Sequence, residues 1–216
     1  LYRLQSQQGI AEADVETMDS FEVGARGEAL NGAILFDVAA YYAEKENFFF
    51  RDSDGLNVTD GSTRHTGVEG RANWLVNEAF TISGTASYAE HTYTFDRVVA
   101  AGSEIIRDGN EVDTAPNWLA DLRLTWHPTD AFEASLSAEY IGEYYTDPGN
   151  TQTYPGHTVT QARASYEFTE TLEGFVIVRN LFDLNYADRA DFAFGGNRYF
   201  PGEPLNATVG VRKRFN

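Results

Sequence analysis

Apolar and polar residues alternate with a period of two along nearly the whole chain. From Phe80 the even positions read Phe80, Ile82, Gly84, Ala86 and Tyr88, and between them lie Thr81, Ser83, Thr85 and Ser87. Trp118, Ala120, Leu122, Leu124 and Trp126 alternate with Leu119, Asp121, Arg123 and Thr125, and Phe132, Ala134, Leu136, Ala138 and Tyr140 alternate with Glu133, Ser135, Ser137 and Glu139. A helix would mix these faces within two turns, so the pattern predicts strands. Extended over the chain it predicts about nine, near residues 19–27, 32–50, 62–76, 80–95, 115–127, 131–146, 157–169, 172–183 and 203–215. The eighth, around Gly174-Phe175-Val176-Ile177-Val178, is apolar on both faces, and its facing is not set by the pattern. Short connections (27–31, 77–79, 127–130, 169–171) alternate with long ones rich in Gly, Asp and Asn (51–61, 96–114, 147–156, 184–202). An antiparallel up-and-down meander with short turns at one end and long loops at the other produces this alternation. It is the loop asymmetry of transmembrane β-barrels.

Aromatic placement separates a membrane barrel, apolar face outward, from a soluble β-sandwich, apolar face inward. Phe80 and Tyr88, Trp118 and Trp126, and Phe132 and Tyr140 each bracket an apolar face at a spacing of eight residues. That is ~26 Å along a strand, or ~20 Å in projection at a tilt of ~40°, close to the apolar band of an outer-membrane barrel. Trp74, Phe80, Trp126, Phe132 and Phe168 are expected to form one interfacial girdle, and Tyr42, Tyr88, Trp118 and Tyr140 the other. Strands of about sixteen residues also exceed the usual ~3–10 of globular sheets. The membrane reading is preferred. An odd strand count cannot close a bacterial barrel, because open edges in lipid cost several kcal/mol for each unsatisfied group. The chain is therefore expected to be one side of a larger barrel, unless residues 1–18 supply a tenth strand.

Composition narrows the picture further. The 216 residues carry 33 acidic and 16 basic side chains, a formal net charge of −17. That disfavours nucleic acid as a partner, since phosphates need a cationic surface. With 42% hydrophobic residues the chain is too apolar for a disordered acidic tail. The absence of cysteine excludes disulfides, thiolate metal sites and cysteine nucleophiles within this stretch. No stretch reaches the ~18 apolar residues of a membrane helix. The opening Leu1-Tyr2-Arg3-Leu4, with neither initiator methionine nor leader, is what a fragment would show.

Near the C-terminus stand Asn180-Leu181-Phe182-Asp183, Tyr186, Tyr199-Phe200-Pro201-Gly202-Glu203-Pro204 and an alternating strand ending at Phe215. Upstream lie Asp19-Ser20-Phe21-Glu22-Val23-Gly24, Arg51-Asp52-Ser53-Asp54-Gly55, Gly67-Val68-Glu69-Gly70 and Tyr140-Ile141-Gly142 followed by Tyr144-Tyr145-Thr146-Asp147. This ordered set resembles the barrel of TonB-dependent outer-membrane receptors over almost the whole chain. The resemblance implies a 22-stranded barrel whose last nine strands are present here, without the plug and the TonB box. Its implied partners are the remaining strands and plug of the same receptor, the TonB complex through the missing N-terminal part, and outer-membrane lipid and lipopolysaccharide. A small-molecule ligand such as a ferric chelate is implied as well. The implied role is TonB-dependent uptake of a scarce nutrient, with a ferric siderophore as the default class, in the bacterial outer membrane. The family's assembly signal falls on Thr208, Gly210, Lys213 and Phe215, with lysine in an apolar slot and Asn216 after the aromatic residue. Lys213 can snorkel at the membrane edge.

Other chemistry is weak. His65, His91, His127 and His157 are scattered and form no metal-ligand spacing by sequence. Ser87 and His91 share a face, but four strand residues separate them by ~13 Å, too far for a nucleophile and its base. Asp52-Ser53-Asp54-Gly55-Leu56-Asn57 with Asp60 lacks the EF-hand glycine and glutamate, and reads first as a solvated turn and only second as an irregular calcium loop. Arg212-Lys213-Arg214 reads as a solvated strand end, and Arg123 and Arg163 are expected to pair with Glu69, Asp121, Glu133 or Glu139 on the polar face. His91, Tyr93, Tyr145, Arg64 and Arg198 are the candidate contacts for an anionic chelate. Neither an enzyme nor a cofactor is expected. The competing readings are a small closed barrel acting as a passive pore or structural protein, an outer-membrane hydrolase, and a secreted β-sandwich that binds carbohydrate.

Overall fold

The structure, a computed structural model, describes residues 14–51, 57–99, 104–193 and 195–215. Nine strands form one antiparallel sheet in unbroken chain order: β1 (Thr17–Ala29), β2 (Ile34–Arg51), β3 (Asn57–Asn77), β4 (Phe80–Tyr93), β7 (Trp118–Thr129), β8 (Phe132–Ile141), β11 (His157–Thr169), β12 (Leu172–Arg179) and β15 (Asn206–Lys213). Six shorter strands form three hairpins within the long connections. They are β5 (Arg97–Val99) with β6 (Glu104–Ile106), β9 (Tyr144–Tyr145) with β10 (Thr153–Tyr154), and β13 (Ala187–Ala193) with β14 (Gly196–Pro201). The alternation predicts the nine long strands. The three hairpins, too short and irregular for a period to register, are an addition to it.

The register fixes what each face carries. Ile82 lies between Trp74 and Leu124, Gly84 between Ala72 and Leu122, and Tyr88 between Val68 and Trp118, so one face is apolar across neighbouring strands. The other carries Glu69 opposite Ser87, Thr85 opposite Asp121, and Asp121 opposite Glu139. The ambiguous β12 is also settled. Val176 aligns with Ala164 and Val209 on the apolar face, whereas Ile177 aligns with Arg163 and Thr208 on the polar one.

Short turns are closed by their own polar side chains. Asn77 Oδ1 accepts from the backbone N–H groups of Ala79 at 2.9 Å and Phe80 at 3.0 Å. Thr169 Oγ1 accepts from those of Thr171 and Leu172 at 3.3 and 3.1 Å. Both are the local side-chain-to-backbone bonds that make such residues turn formers.

Neither edge of the sheet is paired among the described residues: β1 and β15 are its two ends, and every residue of β1 is exposed. The sheet is part of a larger barrel. A second sheet packed face to face, as a sandwich requires, is absent among the described residues. The buried residues sit almost entirely at the long-loop end. One cluster joins Tyr93 and Ile106 to Phe48, Phe95 and Val112, and another joins Tyr144, Tyr154, Ala187 and Ala190 to Ile141.

Candidate functional site

The polar face of the wall carries a hollow of about 710 Å³ lined by Asp37, Glu69, Arg71, Ser87, Asp121 and Glu139 among others. Arg71 reaches Asp37 at 3.2 Å. Glu69, Asp121 and Glu139 have no ion-pair partner among the described residues, although Asp121 and Glu139 are directly cross-paired. Like charges in that position repel. Arg163, expected to answer one of these carboxylates, instead reaches Glu173 at 3.7 Å, and Arg212 reaches the same carboxylate at 3.0 Å. Both guanidinium groups lie about 6 Å from the Phe175 ring. The register shows why: Glu173 of β12 stands directly opposite Arg212 and lies on the same face as Ile177, Arg163's own partner four residues along β12. Arg212, at the strand end expected to be solvated, is more than half exposed and is also ion-paired with Glu173.

Above the aromatic level of Tyr88 and Trp118, whose rings lie 5.0 Å apart, the wall continues into the mouth. His65 and His91 are cross-strand partners on the polar face, with Nδ1 atoms 2.7 Å apart and ring centroids 5.0 Å apart. Thr63 Oγ1 lies 2.9 Å from His65 Nε2. Burial pushes both imidazoles below their ordinary pKa, and for His65 the neighbouring ring and Lys45 add to the effect. Sequence separation hid this pair. The signal that finds it is reflection about the β3–β4 turn, since both histidines lie 13 positions from Glu78.

The five candidate ligand contacts do not converge. Tyr93, two residues beyond His91 on the same face, is 2% exposed and donates its hydroxyl to Asp113 Oδ1 at 2.7 Å. Burial raises the Asp113 pKa, against the hydrogen bond from Tyr93. Arg64, next to His65 on β3, lies on the opposite face and bonds Glu44, which also accepts from Tyr42. Tyr145 pairs with Thr153 in the β9–β10 hairpin. Arg198 grips the buried Asp191 carboxylate with Nε at 2.6 Å and a second nitrogen at 2.9 Å.

The hairpins interlock. Tyr144 Oη accepts from Ala190 N at 2.8 Å and donates to Ala190 O at 3.2 Å, and Tyr154 Oη bonds the backbone of Ala187 in the same way. Asn150 both accepts from Glu111 N and donates to Glu111 O, at 2.7 and 2.8 Å. The buried Asp147 carboxylate takes the N–H groups of Thr151 and Gln152. Residues 52–56, at the heart of the calcium reading, lie outside the described residues. No group of three or more His, Asp or Glu side chains that could hold a metal occurs among the described residues.

The C-terminal motif residues form a knot. Asn180, buried at φ 48°, donates to Leu184 O and Glu203 O and accepts from Leu184 N. Leu181 N continues the ladder to Thr160 O, Phe182 is exposed, and Asp183 accepts from Leu205 N. Tyr186 lies over Gly202, where a Cβ would fall 2.1 Å from the ring, and beside His157 at 4.5 Å. Pro201 closes β14 opposite Ala187. Gly210 likewise leaves room for the Phe175 ring, and Lys213 stands 5.6 Å from the exposed Phe215 ring.

A nine-stranded meander with one apolar and one polar face, short turns at one end and interlocked loops at the other, defines a segment of an outer-membrane β-barrel. The profile of the family described as TonB dependent receptor-like, beta-barrel, matches residues 8–181, and the chain belongs to that family. The metal-pseudopaline receptor CntO of Pseudomonas aeruginosa is 26% identical over 206 residues, 94% of this chain and 28% of that protein. The catecholate siderophore receptor Fiu of Escherichia coli is 26% identical over 199 residues, 90% of this chain and 25% of that protein. The chain thus spans about a quarter of the length of these curated relatives. Among solved structures, the siderophore receptor PiuA from Acinetobacter baumannii superposes with a TM-score of 0.73 at 20% identity, over 91% of this chain and 28% of that one. The ferric yersiniabactin uptake receptor FyuA from Yersinia pestis gives 0.77 at 18% identity, over 93% and 30%. These structural likenesses concern the fold.

Proposed function

We propose that this chain forms nine wall strands of a TonB-dependent receptor that takes up a metal chelate, with a ferric siderophore as the substrate class. The observation that carries the reading is the two-faced wall together with the family to which the chain belongs. The relatives named for pseudopaline and catecholate siderophores support the substrate class. On this reading Trp74, Phe80, Trp126 and Phe132 sit at the short-turn interface of the membrane, and Tyr88, Trp118 and Tyr140 at the other. Lipid and lipopolysaccharide cover the apolar face. The strands that complete the barrel pair with β1 and β15, and the plug seats against the polar face. The unpaired Glu69, Asp121 and Glu139 call for basic side chains on that plug. TonB engages segments outside this chain.

Of the five candidate contacts, His91 and Tyr145 are assigned to the mouth, Arg198 orients a hairpin through Asp191, and Tyr93 and Arg64 serve the architecture. A hollow of about 720 Å³ lined by Tyr154, His157, Tyr186 and Tyr199 adds aromatic faces suited to an aryl chelate. The test is uptake of radiolabelled ferric siderophores by iron-starved cells that carry the full-length receptor as their one route. Accumulation that stops when TonB is deleted supports the reading. Accumulation that continues without TonB would assign a passive pore, and no accumulation with any chelate would remove the import role.

A further inference from the structure

The His65–His91 pair has no part in the wall or in the proposed chelate contacts beyond the position of His91, and its geometry is specific. The two Nδ1 atoms face each other at 2.7 Å across neighbouring strands. A borderline divalent ion held by two imidazoles at ~2.0–2.1 Å each, with an angle of ~90–109°, sets its nitrogens ~2.9–3.4 Å apart. Opening the pair by a few tenths of an ångström is therefore enough to admit an ion between them. The setting favours that motion. Ala43, directly opposite His65 on β2, is small, as is Ala89 two residues before His91 on the same face. The Thr63 hydroxyl, 2.9 Å from His65 Nε2, can accept that N–H and so leave the Nδ1 lone pair facing His91. Metal-bound histidines are commonly oriented by such a bond from the other ring nitrogen. Lys45, whose charge acts on His65, is already held by Glu16 at 2.8 Å.

We propose that His65 and His91 form a two-imidazole docking site for a borderline divalent metal ion, of the Cu²⁺, Ni²⁺ or Zn²⁺ class, in the mouth of the barrel. Imidazole pairs favour these ions over the hard Ca²⁺ and Mg²⁺. Water, or donor atoms of an arriving chelate, complete the coordination, since the described residues gather no third metal-ligating side chain there. Both rings stay neutral on binding. The single N–H between them moves to an Nε2, so no net proton is released. The site does not depend on which chelate the receptor imports.

The test uses the full-length receptor in detergent, without a polyhistidine tag, titrated with Cu²⁺ and followed by electron paramagnetic resonance. The expected result is one bound ion with hyperfine splitting from two nitrogens. His65→Gln and His91→Gln should each abolish the two-nitrogen pattern and weaken binding at least tenfold. Thr63→Val should keep the pattern and weaken binding by about 10-fold or more. Heat-modified electrophoretic mobility reports assembly of every variant, and Thr63→Val decides the matter if a histidine variant does not assemble. Unchanged affinity and spectrum in the variants, or no ordered Cu²⁺ in the parent, overturns the proposal. Ferric-siderophore uptake measured on the same variants separates this outcome from failure of the import reading.

Discussion

The wall and the mouth of this barrel segment are built on opposite principles. Along the wall, residues such as Leu122 and Val209 are more than half exposed, and on the proposed reading lipid and the lumen contents replace the core a soluble protein would need. In the mouth, Tyr93, Ile106, Ala190 and Asn180 are almost fully buried, and tyrosine hydroxyls and amide side chains bond the backbone of neighbouring loops. The wall is held by its own ladder and its solvent; the mouth is a small globular core of polar staples. A charge on the apolar face should therefore harm the wall, whereas loss of a hydrogen bond should harm the mouth.

The largest effect is expected at Asn180. Asn180→Ala removes three bonds worth about 1 kcal/mol each and leaves a left-handed residue with strain of about 1–2 kcal/mol, a loss of about 4–5 kcal/mol. Thermal unfolding in detergent measures it, and an unchanged midpoint would show that the knot is incidental. Next comes Leu122→Arg, halfway between Trp118 and Trp126 on the apolar face. It should cost about 2–4 kcal/mol when folding is measured into bilayers. Ser87→Arg, on the polar face directly opposite Glu69 in the register, should cost no more than about 0.5 kcal/mol as a surface change. Equal costs would erase the distinction between the faces.

The smallest effect concerns Asp113. Its folded pKa is raised, chiefly by burial, so the folded state binds its proton more tightly than the unfolded chain does. The burial penalty is present at pH above the folded value and is relieved as pH falls through it. Asp113→Asn keeps an acceptor for Tyr93 and removes the charge. It should equal or exceed the parent in stability at neutral pH by less than about 1 kcal/mol, with the difference vanishing in acid. A variant less stable at pH 7 than at pH 4, relative to the parent, would contradict the assignment.

The same division governs what the sequence reveals. The nine wall strands are legible because two different environments flank every strand and write a period of two into it. The β9–β10 and β13–β14 hairpins leave no such period: Tyr144, Tyr154 and Asn150 act through single bonds to distant backbone. Tyr93 illustrates the limit. As a mouth-facing aromatic it reads as a ligand contact, yet the loop carrying Ile106 and Asp113 folds over it. The Asn180 motif is visible as a resemblance, but its function as a buried staple emerges only once Glu203 is beside it. The His65–His91 pair required a register, which the sequence supplies only after the turn at Glu78 is recognised.

On the proposed reading the apolar face meets lipid and the polar face meets the lumen and its plug. These 216 residues contain no cysteine, so single cysteines placed in turn at positions 119–124 of the full-length receptor can be spin-labelled in liposomes. Positions 120, 122 and 124 should be accessible to dissolved oxygen in the bilayer, and positions 119, 121 and 123 shielded from it, in strict alternation. Uniform accessibility, or the opposite alternation, would contradict the account.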